Sequence, residues 1–311
     1  MIAKKRWTAI GVALIILVLM SVDNIFIKIA LSMVSPFAYV WMSLLIGMIA
    51  LAVYTFGIKK ERIPFPLMSR RVWLYILQIG FFNFFTGRMS ILSLNYLSAS
   101  TNSYINNFIG FITMGMSCVI LKEKPTIFQM IGSLIAFAGL RVFFPAGPQG
   151  GECLGIALVL ISITGIAYTN NIARKLAQET DNKISNTIIS TLALLMGGLL
   201  MVVTSIIIDG FPPMVNGYFP WIAILFTGIS TNAFGMTAWN GILRTLRSYE
   251  ASVLGASMVI WVSLLAFFIL GERITMHQIL GIAMQLVGIG LVQVRADTRF
   301  FRKNAKKSDK K

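Results

Sequence analysis

Asp23 and Arg88 interrupt stretches that are otherwise apolar, the first within residues 7–31 and the second within 72–96. A charge at membrane depth is costly, and such residues serve function by default. Counted from the start of each run, both lie about 24 Å along a helix rising 1.5 Å per residue. Two opposite charges therefore reach one depth and are expected to face each other. Two readings follow. The pair fixes helix packing, each charge offsetting the other's desolvation. Alternatively it forms a gate or zwitterion site, with Arg88 offering its fork to a carboxylate and Asp23 taking an ammonium or a coupling proton. Lys28, nearer the end of the first run, either snorkels to the interface or joins the gate.

Asparagines form the second group. Asn83 and Asn232 are 149 residues apart and each lies about 16 Å into its run, near the bilayer centre. They serve either as interhelical hydrogen-bonding groups or as symmetry-related cargo ligands. Asn102, Ser103, Asn106 and Asn107 make a polar start to another run, with Asn102 and Asn106 on one face. Tyr168, Asn170 and Asn171 recur in a later run, and Trp239 with Asn240 in one beyond it. Phe81, Phe82, Phe84, Phe85 and Phe234 flank the central asparagines, to pack or to line a pocket.

The elements that position these residues are ten apolar runs, over 7–31, 36–58, 72–96, 101–121, 126–144, 154–173, 185–208, 221–243, 251–270 and 274–294. Each approaches the roughly 20 residues that cross a bilayer core. One stretch occurs twice: Leu121, Glu123, Gln129, Gly132 and Gly139 are matched by Leu270, Glu272, Gln278, Gly281 and Gly288, an offset of 149. The chain is two related halves of five runs, 1–144 and 153–294, followed by a basic tail over 295–311. An odd number of spans per half places the second copy upside down relative to the first. Glu123 and Glu272 read as interfacial turn residues with local charge partners, Glu272 beside Arg273. The repeated glycines suit close helix contacts.

Of 311 residues 57% are hydrophobic and 12% charged, with a mean hydropathy of +0.79. These values exclude an ordinary soluble domain and imply an all-α integral membrane protein. The net charge of +16 is not a nucleic-acid footprint, because 23 of 27 Lys and Arg fall in the N-terminus, alternate loops and the tail. That is a positive-inside pattern, with both termini cytoplasmic. The opening Lys4-Lys5-Arg6 and its long apolar run read as a retained helix rather than a cleaved leader. The two cysteines imply no disulfide or metal framework, and no motif for ATP, a cofactor or a catalytic nucleophile is present.

With the repeat, inversion and ten spans in place, the chain resembles the drug/metabolite transporter superfamily, in its ten-helix EamA type. The repeated Leu-x-Glu turn with Gln and two glycines carries the resemblance, supported by Gly155 through Lys175, Gly228 through Trp239, and Lys28. The chain departs from the family at Met20-Ser21, at Ser43, and at Gly110 and Val259 where proline is usual. The resemblance implies a cavity lined by the first, third, fourth, sixth, eighth and ninth helices. The expectation is a secondary-active transporter in a bacterial inner membrane, monomeric or homodimeric, moving a small organic metabolite by alternating access with proton or counter-substrate coupling. An amino acid or related zwitterion is the favoured cargo, with a drug or quaternary cation as alternative. A non-transporting membrane enzyme, lipid-handling protein or sensor is the reading from another class.

Overall fold

The computed structural model describes residues 2–122, 126–144, 150–211, 215–246, 251, 254–255 and 257–293. Glu123 and the tail over 295–311 lie outside the described residues. Ten helical segments follow in order: α1 (Ile2–Ala30), α2 (Pro36–Ile58), α3 (70–93), α4 (Ala99–Ile120), α5 (Ile127–Phe143), α6 (Glu152–Glu179), α7 (Asn186–Asp209), α8 (Phe219–Thr245), α9 (Met258–Leu270) and α10 (Met276–Gln293). Six of them, α1, α2, α4, α6, α7 and α8, are long and apolar enough to cross a membrane unaided. The other four are shorter or more charged, and cross as parts of the bundle. Large apolar side chains such as Val119, Leu134, Ile207 and Phe268 point outward. In lipid that is their favourable side, since the backbone groups are satisfied within the helices.

Serine starts four of these helices. Ser35, Ser69, Ser98 and Ser185 accept from the backbone N–H of Ala38, Val72, Thr101 and Thr187, so the first turns of α2, α3, α4 and α7 are capped. Gly271, at φ 66°, ends α9 in the left-handed conformation that glycine adopts without strain.

The halves are inverted copies, and the packing shows it. α2 runs antiparallel to α7: Asp209 receives Ser35 Oγ and the Ala38 amide at one end, while Thr55 and Thr191 hydroxyls meet at 2.7 Å at the other. α5 and α10 are likewise antiparallel, Gly139 lying on Gly281 and Gly132 on Gly288. Exchanging the halves preserves the other contacts, since α1 packs on α8 and α9 as α6 packs on α3 and α4. α2 meets α8 as α7 meets α3. The last two crossings use matched glycines, Gly47 on Gly228 and Gly80 on Gly197. Either Cβ would strike backbone, so only glycine permits the approach.

Lys59 donates to Thr187, and Arg244 to the carbonyls of Asn182 and Ile184, so the cationic loops gather at one end. We call this the basic end. At the opposite, distal end Val34 and Val215 form an antiparallel bridge between the α1–α2 and α7–α8 turns.

Candidate functional site

A cavity of ≈ 270 Å³ runs through the middle of the bundle. Among the described residues its lining comes from α1, α3, α4, α6, α8, α9 and Gly255 just before α9, with none from α2, α5, α7 or α10. These are the six helices that the resemblance implied.

Asp23 of α1 lines this cavity and is only 3% exposed. Both carboxylate oxygens are engaged by α8: Thr231 Oγ1 donates to Oδ2 at 2.8 Å and Thr227 Oγ1 donates to Oδ1. The buried phenol of Tyr39 on α2 backs Thr227, with 2.5 Å between the two oxygens. Thr227 and Thr231 are four apart and share one face, at the start of the π-helical stretch Thr227–Gly235. A second π-helical stretch, Phe81–Phe85, holds Asn83 on α3. The repeat mates Asn83 and Asn232 thus both sit where the helix is locally widened, a distortion frequent at functional sites.

Arg88 lines the same cavity from α3, but Asp23 is not its partner. Its Nη2 donates to Asn232 Oδ1 at 2.6 Å, and its guanidinium lies 5.4 Å from the centre of the Phe84 ring. Two ion pairs among the described residues, Lys59–Glu61 and Lys183–Asp181, lie outside the cavity. Asp23 and Arg88, expected to face each other, line one cavity without a hydrogen bond or ion pair between them. Buried Arg88 Nε, Asn24 Oδ1, Ser103 Oγ and Thr169 Oγ1 have no protein hydrogen-bond partner. Buried polar groups are costly unless bonded, so these are sites for water or for polar groups of a cargo.

Asn106 also lines the cavity, and its amide donates to Ser90 Oγ, Asn102 O and Asn102 Oδ1 at 3.0, 2.9 and 2.7 Å. Asn102 in turn donates to Ser93 Oγ at 2.5 Å, tying the end of α3 to the start of α4. Trp239 lines the cavity near the basic end and donates to Asn170 Oδ1 at 3.0 Å, joining α8 to α6.

Three expected site residues lie elsewhere. Asn232 sits behind Arg88, where it orients the guanidinium and does not reach the cavity wall. Tyr168 packs against Phe82, ring centres 4.7 Å apart and planes tilted by 58°, and is not part of the cavity lining. Lys28 lies beyond its distal end, donating to the carbonyls of Leu94 and Leu97. Glu272, expected to pair locally near Arg273, instead accepts from the amides of Ala99 and Ser100 and from the Ser100 hydroxyl on α4.

Sequence reasoning missed Thr227 and Thr231 as partners of Asp23. Their spacing of four in an apolar run was the available signal. Asn24, Asn107 and Asn240 also line the cavity.

A family model described as the EamA-like transporter family matches residues 7–144 and 153–294. Among similar proteins, an "Uncharacterized transporter" of Archaeoglobus fulgidus is 28% identical over 203 residues, covering 63% of this chain and 68% of its own. "Uncharacterized transporter YyaM" of Bacillus subtilis is 23% identical, covering 78% of each chain. "Uncharacterized transporter YcxC" of the same organism is also 23% identical, over 93% of this chain and 94% of its own. A solved crystal structure matches 92% of this chain and 98% of its own with a TM-score of 0.67 at 14% identity, a likeness of fold. The match over both halves, on an all-helical membrane bundle with a central cavity, makes this chain a multi-pass membrane transporter belonging to the EamA-like transporter family.

Proposed function

We propose that the central cavity is the cargo site of a secondary-active transporter, reached from each end in turn, and that the cargo is an amino acid or related zwitterion. The reading rests on one observation: an anion and a cation line one cavity without forming a direct ion pair. Threonine hydroxyls hold Asp23, and Asn232 holds one arm of Arg88 while Nε has no protein partner. A carboxylate fits the Arg88 fork, and an ammonium or coupling proton fits Asp23. The cavity volume of ≈ 270 Å³ favours a small cargo. A quaternary cation needs a free aromatic face beside Asp23, and Phe84 already lies against the guanidinium. The concentration of Lys and Arg in alternate loops supports a cytosolic basic end in a bacterial inner membrane.

The test is thermal melting of the purified protein against amino acids, nucleosides and quaternary amines, followed by uptake of the stabilising compounds into proteoliposomes. A ligand that binds the native state raises the melting point by mass action. Stabilisation and uptake of a zwitterion, both lost in Arg88→Ala, support the reading. Stabilisation by quaternary amines alone overturns it.

A further inference from the structure

Lys28 lies outside the cavity, yet its environment is repeated at the other end of the molecule. Its Nζ donates to the carbonyls of Leu94 and Leu97, at 2.5 and 2.8 Å, where α3 ends. Arg174 of α6 donates through Nη1 to the carbonyls of Leu243 and Leu246, at 3.4 and 2.5 Å, where α8 ends. Leu94 and Leu243 are 149 residues apart, and so are Leu97 and Leu246. In each half, a cation on the first helix thus caps the same two carbonyls after the third. Carbonyls leaving a helix end lack intrahelical donors, and a cation there also meets the negative end of the helix dipole.

The correspondence continues inward. Asn24 lines the cavity four residues before Lys28, and Asn170 lines it four residues before Arg174. Ile91 lines it three residues before Leu94, and its repeat mate Asn240 three residues before Leu243. Each capping contact therefore stands about one helical turn beyond the terminal wall of the cavity. One lies at the distal end and the other at the basic end, because the halves are inverted. At the distal end the same turn is also held by Glu272 through the amides of Ala99 and Ser100.

We propose that Lys28 and Arg174 are a matched pair of latches, Lys28 closing the distal end of the cavity and Arg174 the basic end. Each joins the first helix of its half to the end of the third, and all four of these helices line the cavity. Release of one latch lets the end of the third helix move away from the first and opens that end of the cavity, while the other stays shut. This rests on the alternating-access reading above and assigns it two residues outside the binding site.

The experiment uses Met20→Cys, on the cavity wall, in a background with Cys118→Ser and Cys153→Ser. A membrane-impermeant thiol reagent is applied to sealed vesicles of each orientation, and labelling rates from the two sides are compared. Lys28→Met is expected to shift the ratio of rates roughly tenfold or more toward the distal side, the scale of losing a charge-assisted hydrogen bond. Arg174→Met is expected to shift it toward the basic side, and Lys28→Arg, which keeps the donors, to stay near the parent. Opposite shifts support the latches. A parent labelled from both sides with neither variant moving the ratio, or both moving it the same way, overturns the latches alone. Labelling from one side only in the parent and in every variant overturns alternating access as well.

Discussion

Arg88 donates to Asn232 at 2.6 Å, while Asp23, on the wall of the same cavity, is held by Thr227 and Thr231 of the same helix. One π-helical stretch of α8 thus gives each of the two charges a partner of its own. Arg88 binds Asn232 through one arm and can present another edge to a cargo carboxylate. A lysine is a point charge without this fork. Arg88→Lys is therefore expected to fold with a melting point near that of the parent and to lose at least about tenfold in zwitterion affinity, the effect of one charged hydrogen bond. Ligand-dependent melting and proteoliposome uptake measure both quantities.

Asp23 is satisfied by hydroxyl groups alone, so the consequences of changing it differ from those of changing its partners. Thr231→Val removes one donor and leaves a buried carboxylate oxygen unpaired, at a cost of about 1–3 kcal/mol. Asp23→Asn removes the charge while keeping the shape and two hydroxyl contacts. Thr231→Val is expected to melt lower than Asp23→Asn. If Asp23 carries the coupling proton, Asp23→Asn retains cargo exchange between equal pools and loses accumulation driven by a pH gradient. Paired exchange and gradient-driven uptake assays separate these outcomes.

The ten helices and their inversion were legible because hydropathy, loop charge and the 149-residue repeat all report on one-dimensional order along the chain. That Asp23 and Arg88 line one cavity follows from the same kind of count along the chain. What each side chain touches depends on helix rotation, and an apolar run with few polar residues fixes that poorly. Asn232 was read as a cavity residue, because its depth is central, yet it faces Arg88. Tyr168, placed by its sequence near the cytosolic end of α6, packs its ring against Phe82. The repeat also ran out of step where it mattered: Lys28 and Arg174 are 146 apart, three fewer than their carbonyl partners, so a fixed offset hid them.

Gly80 and Gly197 bring α3 against α7 with backbone touching backbone. α3 carries Asn83 and Arg88, so this contact sets where the cationic wall stands. Gly197→Leu forces the helices apart, and overpacking of this kind costs about 1–3 kcal/mol or more. The expected outcome is a lower melting point together with weakened binding, although no cavity residue is altered. Gly115→Leu is the control, because a Cβ at Gly115 meets open space. It is expected to leave melting and uptake near the parent values.

Glu272 accepts from the amides of Ala99 and Ser100 at 2.8 and 3.1 Å and from the Ser100 hydroxyl at 2.6 Å. Ser98 Oγ accepts from the next amide, Thr101, so the opening donors of α4 are all engaged. A carboxylate at a helix N-terminus is further favoured by the helix dipole. Glu272→Ala leaves the Ala99 and Ser100 amides without these acceptors, and loss of a cap costs about 0.5–2 kcal/mol. Ser100→Ala removes only the hydroxyl contact and is expected to cost less. Hydrogen exchange checks the assignment locally: Glu272→Ala should speed exchange at 99–100, while the α5–α10 contact, built on its own glycine pairs, should keep its protection. Unchanged exchange at 99–100 would return Glu272 to the role of a local turn residue beside Arg273.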